Sequence, residues 1–197
     1  LGDVYKRQEI YNFRSLAFFS KAVERVGEES YPIHIKLDTG MHRLGFMEGE
    51  LDMLTETLGE TPSVKVATIF SHLNCSDMPQ EDRYTREQIA RFDRMSGRLA
   101  AALPYPVLRH TANSAAIERF PEAQFDMCRL GLGLYGFGFE HNDELKPVST
   151  LKSRIVQLKH LSAGEAVGYG RAGKLTRDSV TATVPMGYAD GLDRHLG

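Results

Sequence analysis

The length, composition and charge of the chain are those of an ordinary globular protein. It has 197 residues, of which 42% are hydrophobic and 25% are charged, enough for a substantial core. Its 24 basic and 26 acidic residues give a formal net charge of -2, so we expect neither nucleic acid nor an anionic membrane as a partner. The apolar runs are too short to span a bilayer and no secretory leader is visible, which predicts a cytoplasmic protein.

The spacing of the two cysteines argues against a disulfide or a metal site, and the two ends of the chain indicate a fragment. Cys75 and Cys128 lack the spacing of a redox or zinc motif, so we expect buried free thiols and neither a disulfide nor a metal site. Residues 1–8 show no periodicity that continues into the helical pattern after them, and the chain stops directly after a motif-like segment. We therefore expect a fragment of a longer protein, with residues 1–8 as a candidate non-native leader.

Alternating helix and strand patterns dominate the first part of the chain. Apolar residues at helical spacing predict helices over residues 9–27, 48–58, 82–103 and 115–120. Apolar and β-branched runs predict strands over residues 31–37, 64–70 and 107–109, and residues 125–128 are interpreted as a strand that ends at Arg129. Strands that alternate with helices pair in parallel and collect ligands at their carboxyl ends, so the sequence predicts an α/β fold with its site there. Periodicity leaves open whether the sheet closes into a barrel.

The pattern changes after Gly138. Residues 141–147 are polar and linker-like, and they are followed by β-rich segments at residues 151–161 and 179–184. In the second segment, threonines alternate with valine and alanine, which is typical of a half-exposed antiparallel strand. A second, β-type domain is therefore predicted to begin near residue 147.

A permanently charged arginine followed by alternating glycines stands at residues 128–136, CRLGLGLYG. The guanidinium of Arg129 offers only donors and needs an acceptor, and Gly131 and Gly133 would let backbone N–H groups approach an anion closely. The combination indicates a phosphate-bearing ligand, although a turn with a surface arginine fits the same residues.

Other polar side chains follow strands or stand beside glycines. The motif KLDTGMHRLG places Arg43 where a planar fork can bind a carboxylate, or where a solvated loop holds a local ion pair. His72 and His110 follow separate strands, and each alone is more typical of a structural histidine. Tyr169 and Tyr188 stand beside glycines that either present them to a ligand or pack them on a sheet.

Six motifs in this order resemble one enzyme family. KLDTGMHRLG, FSHL, HTANSA, RLGLGLYG, VGYG and GYADG closely resemble the motifs of the alanine racemases, which use pyridoxal 5'-phosphate. The resemblance implies the later part of a (β/α)8 TIM-type barrel over residues 9–146 and a truncated β domain over residues 147–197. It also implies interconversion of L- and D-alanine, which supplies D-alanine for peptidoglycan, by a homodimer with shared active sites.

The resemblance further implies a cradle for the cofactor. Arg129 would face the pyridine nitrogen of pyridoxal phosphate, with His110 hydrogen-bonded behind it and His72 beside the ring. The phosphate would be held by hydroxyl and backbone groups, those of Ser114, Gly131 and Leu132. Because arginine does not surrender a proton, the ring nitrogen would stay unprotonated, which disfavours transamination.

Roles toward the substrate follow from the same resemblance. Arg43 would help position the substrate carboxylate and the phenolic oxygen of the cofactor, and Tyr188 would line the substrate entrance of the partner subunit. Tyr169 would be a catalytic base that reaches into the partner's site, opposite the lysine that holds the cofactor. The family places that lysine before residue 9, so we expect the fragment itself to be inactive. Lys36 occupies a position at which a lysine is often carbamylated.

Two other interpretations stay open. A related pyridoxal-phosphate barrel enzyme, such as a decarboxylase or a racemase of another amino acid, would share the cradle and differ in the pocket around the substrate side chain. A pyridoxal-phosphate-binding barrel without catalytic activity would lack the β domain and the VGYG tyrosine, and this sequence begins both.

Overall fold

The computed structural model describes residues 8–193 and 195, which form two compact units. The division between the units falls after Val148, whereas the sequence predicted a second domain from near residue 147. The first unit contains a parallel sheet with helices, and the second contains short antiparallel strands.

A four-stranded parallel sheet organises the first unit. Its strands are β1 (Gln8–Ile10), β2 (Tyr31–Lys36), β3 (Val64–Phe70) and β4 (Leu108–His110), and they lie side by side in chain order. β-branched residues suit the extended backbone, and Ile33 and Ile35 on one face of β2 are fully buried. The neighbouring strands pair in parallel, as the alternating pattern predicted.

The α-helices of the described part connect and cover these strands. They are α1 (Phe13–Arg25), α2 (Leu51–Gly59), α3 (Asp82–Ala102) and α4 (Ser114–Arg119). The longer helices turn an apolar stripe to the sheet, so that Val23 of α1, Leu54 of α2 and Phe92 of α3 are at most 4% exposed. Burying a side chain of this size stabilises the fold by about 2 kcal/mol. The core therefore lies between the helices and one face of the sheet.

The predicted helix over residues 9–27 begins later than expected. Ile10 and its predecessor belong to β1, and α1 begins at Phe13. Asn12 caps the helix, because its side chain accepts a hydrogen bond from Ser15 N at 2.7 Å while Ser15 Oγ accepts one from Asn12 N at 3.2 Å. The apolar spacing of Ile10 matches the helical period by coincidence, so periodicity alone extended the helix over a strand.

The predicted strand over residues 125–128 is wrong. Phe125 has a φ of +46°, in the left-handed region, which an extended strand does not allow. The chain still runs beside the end of β4, since Arg129 N donates a backbone hydrogen bond to Ala112 O at 3.0 Å. Arg129 is therefore placed by the segment that follows β4 and not by a strand of its own.

The second unit consists of antiparallel pairs. β6 (Ala166–Val167) pairs with β7 (Gly173–Lys174), and β5 (Gln157–Leu161) pairs with β8 (Ser179–Thr183). Gly164, whose φ is +90°, lies in the turn between β5 and β6. The antiparallel strand predicted at residues 179–184 is confirmed.

The cysteines of the described part are free, and each is half-buried, so the expectation that Cys75 and Cys128 are buried is wrong. Within residues 8–193 and 195, no helix is both long and apolar enough to cross a membrane. The same residues contain no cluster of three or more histidine, cysteine or acidic side chains that could hold a metal ion.

Replacing the α1 cap tests where this helix begins. We expect Asn12→Ala to lower the free energy of unfolding by about 1 kcal/mol, because the Ser15 N–H loses its acceptor. Urea unfolding followed by circular dichroism measures the change, and Asn12→Ser, which keeps a capping oxygen, serves as the control. Equal stability of all three proteins would contradict the assigned helix start.

Candidate functional site

A cavity of about 470 Å³ lies at the carboxyl ends of the strands of the first unit. Its lining includes five residues that the sequence predicted for one site: His72, Ser114, Arg129, Gly131 and Leu132. Lys36, Arg43 and His110 are not in its lining. His110 lies directly behind Arg129, in hydrogen-bond contact with it.

Arg129 is held by neutral acceptors. Its Nη1 donates to His110 Nδ1 at 2.7 Å, and its Nη2 donates to Ser71 O at 2.6 Å, Thr111 O at 3.3 Å and His72 Nδ1 at 3.2 Å. The ion pairs of the described residues include none between Arg129 and a carboxylate. None of its hydrogen bonds to described residues uses Nε. The guanidinium thus keeps a full positive charge and a spare donor.

Phe70, the last residue of β3, contacts both Arg129 and His110. Its ring stacks on the His110 imidazole, with ring centroids 5.1 Å apart and an interplanar angle of 7°. The Arg129 guanidinium carbon lies 5.2 Å from the Phe70 centroid, within the range of a cation–π contact. The aromatic side chain therefore stabilises the cation without neutralising it.

The hydrogen bonds behind Arg129 fix the positions of several protons. Because a guanidinium can only donate, His110 Nδ1 must accept, and the His110 proton must lie on Nε2. That N–H points to Thr68 Oγ1 at 3.1 Å. The Thr68 hydroxyl is also in hydrogen-bond contact with His34 Nδ1. The N–H groups of Arg129 and His110 in this series therefore both point away from the cavity.

The two histidines beside Arg129 are neutral at pH 7. Burial lowers the pKa of His110 to about 4, and the positive charges of Arg129 and His34 act in the same direction. Burial and then the charge of Arg129 likewise lower the pKa of His72. Burial lowers the pKa of Arg129 as well, but a guanidinium remains protonated in proteins. The neutral imidazoles can therefore accept hydrogen bonds from the arginine.

Ser114 and the glycine segment form the other side of the cavity. Ser114 is the first residue of α4, which Asn113 caps by accepting from Ala116 N at 3.0 Å. Ser114 Oγ accepts hydrogen bonds from Gly131 N at 2.9 Å and Gly133 N at 3.2 Å. Because the Ser114 oxygen accepts both bonds, its own O–H is the donor that this group can offer to an anion in the cavity.

The loop after β2, which carries Arg43, is fixed by its own aspartate. The buried Asp38 carboxylate accepts hydrogen bonds from Gly40 N at 2.9 Å and His42 N at 3.1 Å. Burial raises the pKa of Asp38, yet these bonds and the His42 charge outweigh it and lower the pKa overall. Arg43 itself is exposed.

Three polar residues on one face of α3, which the sequence analysis missed, tie two loops to the helix. Tyr84 donates to Gly40 O at 2.8 Å, and Arg91 donates to Thr39 O at 3.0 Å. Gln88 between them accepts from the backbone N of Asn74, in the loop that follows β3, at 3.3 Å. Their spacing of four and three residues could have indicated this shared role, because it places them on the same side of a helix.

Lys36 ends β2 and is only 8% exposed. Its Nζ lies 2.8 Å from Oε1 of Glu9, in β1. The sequence analysis gave Glu9 no role because residue 9 was assigned to a helix, where it would not face a strand residue.

The two tyrosines belong to the second unit and both are exposed. Tyr169 is 99% exposed at the start of a 3-10 turn, between Gly168 and Gly170, whose φ values are +82° and +63°. Tyr188 begins a similar turn at Tyr188–Asp190. Glycine permits the left-handed backbone on both sides of Tyr169, and the phenol is presented to solvent.

Known proteins share these two units. Residues 8–138 match the family described as "Alanine racemase, N-terminal domain", and residues 148–197 match "Alanine racemase, C-terminal domain". The chain belongs to the alanine racemase family. An alanine racemase of Sorangium cellulosum is 40% identical over 166 residues, which are 83% of this chain and 44% of that protein. The chain spans about half the length of the curated relatives it matches.

Solved structures of the alanine racemase family have the same fold. An alanine racemase from D-cycloserine-producing Streptomyces lavendulae superposes with a TM-score of 0.85 at 30% identity, over 94% of this chain and 50% of that one. One from Bartonella henselae, described with covalently bound pyridoxal phosphate, gives 0.74 at 27% identity, over 96% and 52%. The predicted α/β barrel part followed by β structure is confirmed.

Alanine racemases use pyridoxal phosphate, and the described residues fit that group. Arg129 retains an Nε–H that makes no hydrogen bond to a described residue, and Phe70 and His110 hold its guanidinium in place. The Ser114 hydroxyl proton could be donated to a phosphate, with the N–H groups of Gly131 and Gly133 beside it.

The neutral state of His110 makes stability depend on pH. We expect the free energy of unfolding to fall by up to about 3 kcal/mol between pH 6.5 and pH 4, because the unfolded chain takes up a proton near pH 6.5 and folded His110 only at about 4. The part of the free energy of unfolding that depends on neutral His110 is fully present above pH 6.5 and is lost as the pH falls toward 4. Urea unfolding at several pH values measures this dependence.

The variant His110→Gln isolates this histidine, because glutamine keeps an acceptor and a donor but does not titrate. Its unfolding free energy should change less over the same pH range, whereas His141→Gln, at an exposed histidine, should behave as the wild type. A wild-type pH dependence in His110→Gln would show that His110 is not the group responsible.

Proposed function

We propose that the full-length protein containing this chain interconverts L- and D-alanine with pyridoxal phosphate. The observation that carries the proposal is Arg129, a permanent cation held by neutral histidines and carbonyl oxygens at the mouth of a cavity, beside the donors around Ser114. When bound, pyridoxal phosphate supplies an electron sink that acidifies the α-proton of an amino acid. The protein residues decide which reaction takes place.

Arg129 would limit that electron sink. Its guanidinium offers the ring nitrogen a hydrogen bond but does not transfer the proton, since arginine is not deprotonated in proteins. His110 and His72 support this role because both accept from Arg129 and neither brings a proton of its own to that side at pH 7. A weaker sink favours return of the α-proton over its transfer elsewhere.

The proton itself would be moved by Tyr169. Racemisation needs a base on each face of the substrate, and a phenol with an ordinary pKa of about 10 must be tuned by nearby charge or hydrogen bonds to act near neutral pH. Its exposure on a glycine turn supports a role at a site shared with a second subunit, with Tyr188 at the entrance. Arg43 would hold the substrate carboxylate, and the lysine that the family places upstream would be the opposite base.

Exchange of the α-proton of alanine in deuterium oxide tests the reaction and the base together. We expect the full-length protein to exchange both enantiomers, and we expect Tyr169→Phe to lose most exchange of one enantiomer while retaining the absorbance of bound cofactor. NMR of each enantiomer measures the rates. Tyr105→Phe, three residues before β4, is the matched control.

Three outcomes would contradict this assignment. Wild-type exchange of both enantiomers in Tyr169→Phe would show that another group is the base. Release of carbon dioxide from an amino acid in place of exchange would favour a decarboxylase. Bound cofactor without exchange of any amino acid in the wild type would favour a non-catalytic binding protein.

Ser114→Ala tests the phosphate site. We expect about tenfold weaker binding of pyridoxal phosphate to the full-length protein, because one hydrogen bond to a charged group is lost. Absorbance titration of the cofactor-free protein measures the affinity, and Ser114→Thr, which keeps the hydroxyl, should bind more nearly as the wild type. An unchanged affinity in Ser114→Ala would remove Ser114 from the phosphate site.

A further inference from the structure

Glu118, near the end of α4, binds the part of the chain that follows the glycines of the cavity wall. Its half-buried carboxylate accepts hydrogen bonds from three consecutive backbone N–H groups, those of Phe139 at 2.9 Å, Glu140 at 2.7 Å and His141 at 3.0 Å. Burial raises the pKa of Glu118, yet these bonds and then the charge of His141 outweigh it and lower the pKa overall. The acceptor is therefore charged at pH 7, which strengthens each bond.

The same face of α4 binds the chain at an earlier point. Ser114 and Glu118 are four residues apart in this helix, so their side chains lie on one face of it. Ser114 Oγ accepts hydrogen bonds from Gly131 N at 2.9 Å and Gly133 N at 3.2 Å. Residues 131–141, which we call the 131–141 segment, are thus bound to one face of one helix at both ends.

Hydrogen bonds within the 131–141 segment connect those two ends. Leu134 N donates to Gly131 O at 3.0 Å, and Phe137 N donates to Leu132 O at 3.3 Å. Only Gly138 separates this turn from the three residues whose N–H groups the carboxylate binds. Because the segment is hydrogen-bonded along its length, the position of its far end limits the positions that are open to its first residues.

Arg119, the next residue of α4, attaches the same region to the rest of the first unit. Its side chain is only 6% exposed, and its guanidinium donates to Ser76 O at 2.7 Å, to the Asp82 carboxylate at 2.7 Å and to the Glu140 carboxylate at 3.2 Å. The guanidinium carbon also lies 5.0 Å from the ring centroid of Phe139. Through this arginine, the far end of the segment is joined to the start of α3 and to the loop after β3.

We propose that Glu118 is a positioning residue of the phosphate site. By binding residues 139–141, its carboxylate keeps the two glycine N–H groups on the Ser114 oxygen, so that the hydroxyl proton remains directed into the cavity. Without the carboxylate, the N–H groups leave that oxygen more often and the hydroxyl loses its fixed direction. The inference rests on the proposed function for the identity of the ligand, but its effect on the backbone can be measured without any ligand.

Hydrogen exchange of backbone amides, followed by mass spectrometry of the full-length protein without cofactor, tests the effect on the backbone. In Glu118→Ala we expect exchange to become about tenfold faster at residues 139–141 and several-fold faster at residues 131–133, because bonds to a charged acceptor are lost. Exchange in β3 should be unchanged, which separates this effect from a general loss of stability. Asp143→Ala is the control, since this exposed carboxylate of the same loop has no hydrogen bond or ion pair with a described residue.

Absorbance titration with pyridoxal phosphate, and separately with pyridoxal, which lacks the phosphate, tests the effect on binding. We expect Glu118→Ala to weaken the binding of pyridoxal phosphate several-fold and to change the binding of pyridoxal much less. Glu118→Gln keeps an acceptor oxygen and loses the charge, so it should show the changes in exchange and in binding to a smaller extent. It takes the place of Glu118→Ala if that variant does not fold.

Two results would overturn the proposal. Wild-type exchange at residues 131–133 in the variant, whatever happens at residues 139–141, would show that Glu118 does not fix the glycines. Equal weakening of pyridoxal phosphate and pyridoxal, or no weakening of either, would show that Glu118 does not act on the phosphate. A wild type that binds neither compound would instead contradict the proposed function, and the exchange measurement would still decide whether Glu118 positions the glycines.

Discussion

A half-buried arginine that stays charged without a carboxylate in contact is the constraint on which the cavity depends. Removing a cation from water is unfavourable unless polar groups replace the lost solvation. Around Arg129 these groups are main-chain carbonyls and two imidazoles, with the Phe70 ring beneath. The carbonyls are available because β3 and β4 end side by side, and the imidazoles can accept because burial keeps them neutral. The parallel sheet, the neutral histidines and the free donor of the arginine are therefore parts of one arrangement.

Helix α3 holds the two loops next to that arrangement in place by hydrogen bonds. Tyr84, Gln88 and Arg91 hold main-chain groups of the loops after β2 and after β3. The first of these loops carries Arg43 and the second contains His72. A change in the position of α3 would therefore move the proposed substrate contact and the proposed cofactor contact together, and substitutions in the three polar residues should not have independent effects.

Long-period patterns in the sequence were enough for most of the fold. The five lining residues that were predicted for the site came instead from short motifs and from the family resemblance that those motifs carry. The continuous β-branched run of β3 and the long apolar stripe of α3 could be predicted because burial on those faces demands them. Features that depend on one or two residues could not be predicted from such patterns. The start of α1 depends on the Asn12 cap, and the false strand at residues 125–128 depends on the backbone angle of Phe125. Glu9 was missed because residue 9 was assigned to a helix, whereas it lies in the short strand β1, beside Lys36 of β2.

The series of hydrogen bonds from Arg129 through His110 and Thr68 to His34 has a further consequence. Arg129 donates to His110 and His110 donates to Thr68, so a proton could move along the series toward the cavity only if His110 changed its tautomer and the arginine itself gave up a proton. The hydrogen bonds behind Arg129 thus hold its charged group at the cavity wall, but they do not form a path along which a proton could reach the cavity.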